Sequence, residues 1–249
     1  MRARRALWRL LGALWWWALP LRRSEALRAL RDTLPERASE APTLLRGAVG
    51  SVALGYLELA VGSPMPIRGL DRLAAALRPN RGVLCLGGHN GPWDLLLVRC
   101  SQQVPVTVFV KRPSSRLAAW ALQRLRRGGD LELLPPRGAF AAAERALQAG
   151  RVVLVVQDQR HNPGPAVPFF GRPARTSEGY ARLRSLADRL GAPTFGALAW
   201  RREDGTAEGE IQALNAPQDG DLTAWTQGFY EGAARERPGD WWWLHRRWR

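Results

Sequence analysis

Apolar and polar positions change their rhythm twice along this chain. The first regime is an uncharged run, LLGALWWWALPL, from Leu10 to Leu21, bounded by Arg9 and Arg22. The second, residues 24–62, mixes polar and apolar positions as helices do, with breaks expected near Pro35 and Pro42. Within it TLLRGAVGSVALGYLELAV is amphipathic and rich in small residues, which permits close helix packing. After SPMP at 63–66 the pattern alternates between short apolar runs and amphipathic stretches. GVLCL, VPVTVFV, LELLP, RVVLVVQ, PTFGALAW and GEIQALN read as strands. DRLAAALRPN, WDLLLVRCSQQ, SRLAAWALQRLRRGG, AFAAAERALQAG, SEGYARLRSLADRLGA and LTAWTQGFYEGAARERPG read as helices. Strand–helix alternation with short links predicts an α/β sandwich with a largely parallel central sheet flanked by helices. No internal repeat is present.

Composition sharpens this picture. Hydrophobic residues make up 46% of 249 positions, enough for a sizeable core. The formal net charge is +15, carried almost wholly by arginine with Lys111 the single lysine, which favours anionic partners. Cys85 and Cys100 cannot build a disulfide framework, and Cys85 inside an apolar run reads as a buried structural thiol. Eight of the twelve tryptophans gather at the ends: Trp8, Trp15, Trp16 and Trp17, then Trp241, Trp242, Trp243 and Trp248. Tryptophan beside arginine is the composition of a membrane interface. The run from Leu10 to Leu21 is shorter than the roughly 20 residues a crossing helix needs, and no small-residue cleavage site follows it. It reads as a monotopic anchor assisted by Arg2, Arg4, Arg5, Arg22 and Arg23. Residues 1–34 are therefore expected to be a membrane-association segment, and 35–249 the chemical domain.

Ligands of parallel sheets bind beyond the carboxyl ends of the strands. Three such ends carry polar clusters: GGHNGPWD at 87–94, KRP after VPVTVFV, and QDQRHN after RVVLVV. In the first, Pro92 suits the first helical position, which makes Gly91 the N-cap and Asp94 the third helical residue. Asp94 then has a plain reading as a first-turn acid, and His89 as a loop residue bonded to backbone. Within one helix five residues turn the chain by about 500°, so the two would not share a face. They meet only if His89 lies in the loop and the glycines turn the chain sharply. A carboxylate on one imidazole nitrogen fixes the tautomer, and the other nitrogen can then take a proton from an attacking alcohol. Neither a GxSxG, a P-loop nor a GxGxxG is present, and three dispersed histidines offer no metal cluster.

H-x4-D alone is weak, but its surroundings carry a resemblance. GGHNGPWD, VVLVVQDQ, VPFFGRPARTSEG and WWWLHRRW, in this order, are similar to motifs of the bacterial late lipid A acyltransferases, the lauroyl and myristoyl transferases. The mycobacterial phosphatidylinositol mannoside acyltransferases are related to that family. The likeness runs from about Pro35 to the end; Asp94 stands where the family usually has Glu, and Pro92 where it usually has Asn. It implies a glycerolipid-acyltransferase-like fold and transfer of an acyl group from a thioester, on acyl carrier protein or coenzyme A, to a glycolipid hydroxyl. His89 would be the general base and Asp94 its orienting partner. No bound cofactor or metal is implied, nor a nucleic-acid partner. The enzyme is expected as a monomer on the cytoplasmic face of the inner membrane.

Four further residues are candidate substrate contacts. Asp158 ends a hydrophobic strand, where an acid is costly unless it is paired or lines a pocket; a salt bridge to a nearby arginine is the plainer account. Arg112 follows a strand and could hold a phosphate or a developing oxyanion. Arg172 and Arg175 precede a helix expected to be capped by Thr176 or Ser177, a natural anion site. Phe169 and Phe170 suit an acyl groove or the core equally, and His245 reads as structural. The rivals are an enzyme using another acceptor, such as glycerol phosphate or an ornithine lipid, an inactive family member, and a basic tryptophan-rich protein that binds membrane or nucleic acid without catalysis.

Overall fold

The computed structural model describes residues 2–111, 113–217 and 220–248. The chain opens with α1 (Arg2–Ala18) and α2 (Arg23–Thr33), a 3-10 turn (Pro35–Glu40) and α3 (Ala41–Ala60). Pro35 starts the 3-10 turn, and Pro42 marks the next boundary, in the first turn of α3, where a missing N–H costs nothing. Then follow β1 (Ile67–Arg68), α4 (Leu70–Ala76), β2 (Val83–Gly87), α5 (Trp93–Ser101), β3 (Val106–Phe109), α6 (Arg116–Leu125) and β4 (Leu131–Leu134). The remainder comprises α7 (Ala139–Gln148), β5 (Val152–Val156), β6 (Ala166–Phe169), β7 (Arg172–Arg175), α8 (Gly179–Arg189), β8 (Thr194–Arg201), β9 (Ala207–Ala213) and α9 (Leu222–Glu236).

Seven strands form one sheet in the order β1-β9-β8-β2-β5-β3-β4. Strands β8, β2, β5, β3 and β4 are mutually parallel, and β9 turns back antiparallel to β8. The alternation of side chains in β2 and β5 feeds two cores. Leu84, Leu86, Val153 and Val155 join Tyr180, Leu186 and Tyr230 on the side of α8 and α9. Val83, Cys85 and Val152 join Leu73, Leu95 and Cys100 on the side of α4 and α5. The largely parallel α/β sandwich expected from the sequence is thus present.

The first two helices belong to this body. Ala26 and Leu30 of α2 are buried in the same core as Leu45, Leu84 and Leu186, so residues on both sides of position 34 share packing. Helix α1 lies antiparallel on α3 through glycines: a Cβ on Gly12 would stand 2.2 Å from the Arg46 carbonyl oxygen, and one on Gly50 2.4 Å from that of Trp8. This is the close packing that the small residues of α3 predicted. The outward face of α1 leaves Leu7, Leu10, Leu14 and Trp17 exposed, while Trp15 is buried. No helix among the described residues is long and apolar enough to cross a membrane.

One expectation needs correction, and one element carried no reading from the sequence. The C-terminal tryptophans are not an interface: Trp241 and Trp243 are buried in the main core against Phe169 and Phe170. And the stretch 166–175 is an antiparallel hairpin, β6–β7, turned at Phe170 and Gly171, both with positive φ. Its prolines, Pro168 and Pro173, face each other and are tolerated because this two-stranded ribbon stands apart from the main sheet.

Candidate active site

The site is assembled by strand register. Gly87 at the end of β2 pairs with Val156 at the end of β5, so His89 and Asp158 each lie two residues beyond paired positions. Tyr230 of α9 fastens both ends, donating its hydroxyl to the Gly87 carbonyl at 2.9 Å and accepting from the Gln157 N–H at 3.1 Å. The Asp158 carboxylate then accepts twice from one residue: from the His89 backbone N–H at 3.0 Å and from Nδ1 at 2.8 Å. Asp158 is buried, whereas 28% of the His89 side chain remains exposed. With Nδ1 donating to an ionised carboxylate, Nε2 is left as the basic nitrogen.

The loop between His89 and α5 is clamped from three directions. The Asn90 side-chain amide donates to the Ala199 carbonyl, the Gly91 N–H to that of Asp240 at 2.7 Å, and the Trp242 N–H to that of His89 at 3.1 Å. Gly91 has φ +51°, and a Cβ there would stand 2.4 Å from the Ala199 oxygen, so both conformation and space require glycine. Trp93 meets the imidazole edge-on at 5.0 Å and is itself braced by Trp242. Pro92 caps α5, Trp93 is its first residue and Asp94 its second, one step earlier than the sequence suggested.

Asp94 does not hold the imidazole. Its carboxylate accepts from the Tyr56 hydroxyl at 2.7 Å and from the Arg126 Nε at 2.7 Å, tying α3, α5 and the end of α6 together. The expected His89–Asp94 contact is therefore replaced by His89–Asp158, and Asp94 acts on the imidazole only through its charge. Burial pulls the His89 pKa down, but the Asp158 charge and hydrogen bond, with the Asp94 charge, more than offset it, and the net shift is upward. Burial likewise opposes ionisation of Asp158, yet the imidazole and the backbone N–H hold its pKa below the usual range. Burial and the neighbouring Asp94 push the Tyr56 hydroxyl far up, so it stays a donor.

Behind the dyad a cavity of about 990 Å³, at the upper end of ligand pockets, runs from His89 and Asp94 between the sheet and α4–α5. Its depth is apolar: Leu73, Leu96, Leu97, Val104, Val106 and Val152 line it, with the thiols of Cys85 and Cys100. From Val156 to Val152 along β5 the slot is roughly 13 Å deep. Both cysteines are free, and burial raises both thiols, Cys100 to about 12, so neither is a nucleophile. The rim is cationic, with Lys111, Arg126, Arg160 and Arg182. Arg112 lies outside the described residues.

Arg172 and Arg175 are not brought to this cavity. Arg172 pairs with Asp32 at 3.4 Å and lies 4.9 Å over the Trp248 ring; Arg175 donates to the Gly164 carbonyl at 2.8 Å. Helix α8 is capped by Glu178, with Ser177 Oγ accepting from the Gly179 N–H. Phe169 and Phe170 are core. Unexpected contributors are Tyr230, Arg126 and Tyr56, and the terminal WWWLHRR: Arg247 is buried beneath the Asp158 loop and donates to Gln227, and burial lowers His245 to about 4. The four-motif pattern pointed to that terminal segment without giving its partners.

A family model, bacterial lipid A biosynthesis acyltransferase, matches residues 4–249. Phosphatidylinositol mannoside acyltransferases of Mycobacterium tuberculosis, from strains ATCC 25618 / H37Rv and CDC 1551 / Oshkosh, are each 30% identical over 193 residues, covering 73% of this chain and 59% of theirs. The chain thus spans less than two thirds of the length of these curated relatives.

Proposed function

Since the chain belongs to the bacterial lipid A biosynthesis acyltransferase family, we propose that it is a membrane-associated O-acyltransferase whose dyad is His89 and Asp158. One observation carries this reading: an imidazole oriented by a buried carboxylate stands at the mouth of a deep apolar cavity. The cavity takes the acyl chain of a thioester donor. His89 Nε2 removes the proton from a glycolipid hydroxyl as its oxygen attacks the thioester carbonyl. Collapse of the tetrahedral intermediate breaks the C–S bond, and the imidazolium returns its proton to the departing thiolate. The ester and a free thiol are the products. Asp158 stays ionised throughout and stabilises the imidazolium.

The rim cations suit the phosphates of the donor, whether on coenzyme A or on an acyl carrier protein, and Arg112, next to Lys111 in the sequence, is proposed to share that binding role. Asp94 serves in another way, fixing Arg126 at the rim and Tyr56 behind it. Helix α1 lies on the cytoplasmic leaflet of the inner membrane by its exposed Leu7, Leu10, Leu14 and Trp17. The deciding experiment is transfer of a radiolabelled acyl group from each thioester to a membrane glycolipid extract. A labelled lipid formed by the wild type and lost in His89→Ala supports the reading. No transfer from either donor sinks it.

A further inference from the structure

Helix α6 is unusual among the helices around the sheet because none of its residues is buried. It is nonetheless a well-formed helix, capped by Ser115, whose Oγ accepts from the Ala118 N–H. Inward, Leu122 lines the cavity and Leu125 packs on the α4–α5 core; outward, Leu117 and Trp120 are 73% and 59% exposed. A few residues on, Phe140 at the start of α7 lines the same rim and is 45% exposed. Two large apolar side chains one turn apart, pointing at water beside a cavity mouth, need an occupant.

Charge and distribution identify it. Residues 111–129 hold six basic residues and no acidic one. Arg116, Arg124 and Arg127 have no carboxylate partner among the described residues. Every large apolar side chain found exposed among the described residues lies on α1, the link to α2, the end of α3 (Leu57, Val61), α6 or the start of α7. These helices are neighbours: α1 packs along α3, and α3 reaches the end of α6 through Tyr56, Asp94 and Arg126. Indole and leucine flanked by arginine are the anchors of a helix lying in an anionic headgroup layer. A carrier protein docking on α6 alone would leave the apolar exposure of α1 and α3 unshared.

We propose that α6 is a second membrane contact, seated in an anionic leaflet through Leu117 and Trp120, so that the cavity mouth opens onto the lipid surface and a lipid acceptor enters sideways without leaving the bilayer. The contact itself does not depend on the acyltransferase reading; the route of the acceptor does.

The test places an environment-sensitive dye on Leu117→Cys and, as a control, on Arg189→Cys at the far end of α8, since both native thiols are buried. With phosphatidylcholine vesicles containing phosphatidylglycerol, the dye at 117 shifts to shorter wavelength and the dye at 189 does not. Arg124→Gln weakens vesicle binding about fivefold. A dye at 117 that stays in water while the protein sediments with the vesicles overturns the proposal, as does a response to an acidic carrier protein and not to vesicles. In turnover, Leu117→Glu with Trp120→Glu slows acylation of acceptor in vesicles and spares acceptor dispersed in detergent. Equal loss in both forms refutes the sideways route, whereas absence of any turnover bears on the chemistry and leaves the dye result standing.

Discussion

Two single-atom-scale changes, Asp158→Asn and Asp94→Asn, separate the dyad proposed here from the one that the sequence spacing suggests. Asparagine at 158 keeps the shape but presents an amide to Nδ1, so the imidazole no longer has a fixed tautomer with a basic Nε2. Loss of an oriented general base costs about 10²–10⁴ in rate, or roughly 3–5 kcal/mol of barrier. The pH profile adds an independent readout. In the wild type the net shift of His89 is upward from 6.5, so the acid limb of kcat/KM lies above that value. Removing the Asp158 charge leaves burial as the dominant influence, and the limb moves down in pH while the plateau collapses. Asp94→Asn behaves otherwise. Its plateau stays within about tenfold of wild type, while the guanidinium of Arg126, 15% exposed, loses its charged partner. That costs stability, at the lower end of about 3–5 kcal/mol because some water contact remains. Initial rates across pH, with thermal melting of the same samples, decide. An Asp158→Asn enzyme with an unmoved limb and near-normal plateau, beside an Asp94→Asn enzyme that is dead yet melts normally, would refute the assignment.

Three further outcomes follow from the same geometry. Gly91→Ala loses about 1–3 kcal/mol of stability and most activity, because φ +51° and the Ala199 oxygen leave no room for a methyl group; unchanged melting and turnover would contradict the clamp. Cys100→Phe fills the deep end of the cavity and shifts the products to shorter acyl chains at an overpacking cost of about 1–3 kcal/mol; an unaltered chain-length distribution would place the acyl tail elsewhere. Burial raises the Asp240 carboxyl from 3.8 to about 6 against its bonds from Ser51 and the Arg201 N–H. A carboxyl raised on folding favours the native state while protonated, so stability falls by about 3 kcal/mol between pH 4 and 6 and stays lower above. Denaturant melts should show that decline in the wild type and not in Asp240→Asn.

Runs such as RVVLVVQ and GVLCL read correctly because strands buried on both faces are apolar throughout. The order of those strands has no local signal, and the site depends on it. His89 and Asp94 are five residues apart and invite pairing; His89 and Asp158 are 69 apart and meet only because β2 and β5 are neighbours in register. The same limit misplaced the C-terminal tryptophans: beside arginines they resemble an interface, but Phe169 and Phe170, brought over by an unrecognised hairpin, cover them. Pro168 and Pro173 concealed that hairpin, and β1 is too short, two residues, to announce itself. The legible parts of the site were the loop, its glycines and its histidine. Asp158 was legible as a candidate at a strand end, but not as the partner of His89.

Glycine contacts run the whole way from the outer helix to the catalytic turn. Gly12 and Gly50 let α1 and α3 touch backbone to backbone, and a Cβ on Gly55, on the same α3, would stand 2.7 Å from Pro92. Nothing compressible separates them. Were α1 to rest on a leaflet, as proposed above, this stack would act as a height gauge, fixing the level of the imidazole relative to the surface onto which the cavity mouth opens. Acceptors would then be sorted by how far their hydroxyl projects from the bilayer as well as by their chemistry. A bulkier residue at Gly50 would raise the gauge and change which hydroxyl is reached, without touching the dyad.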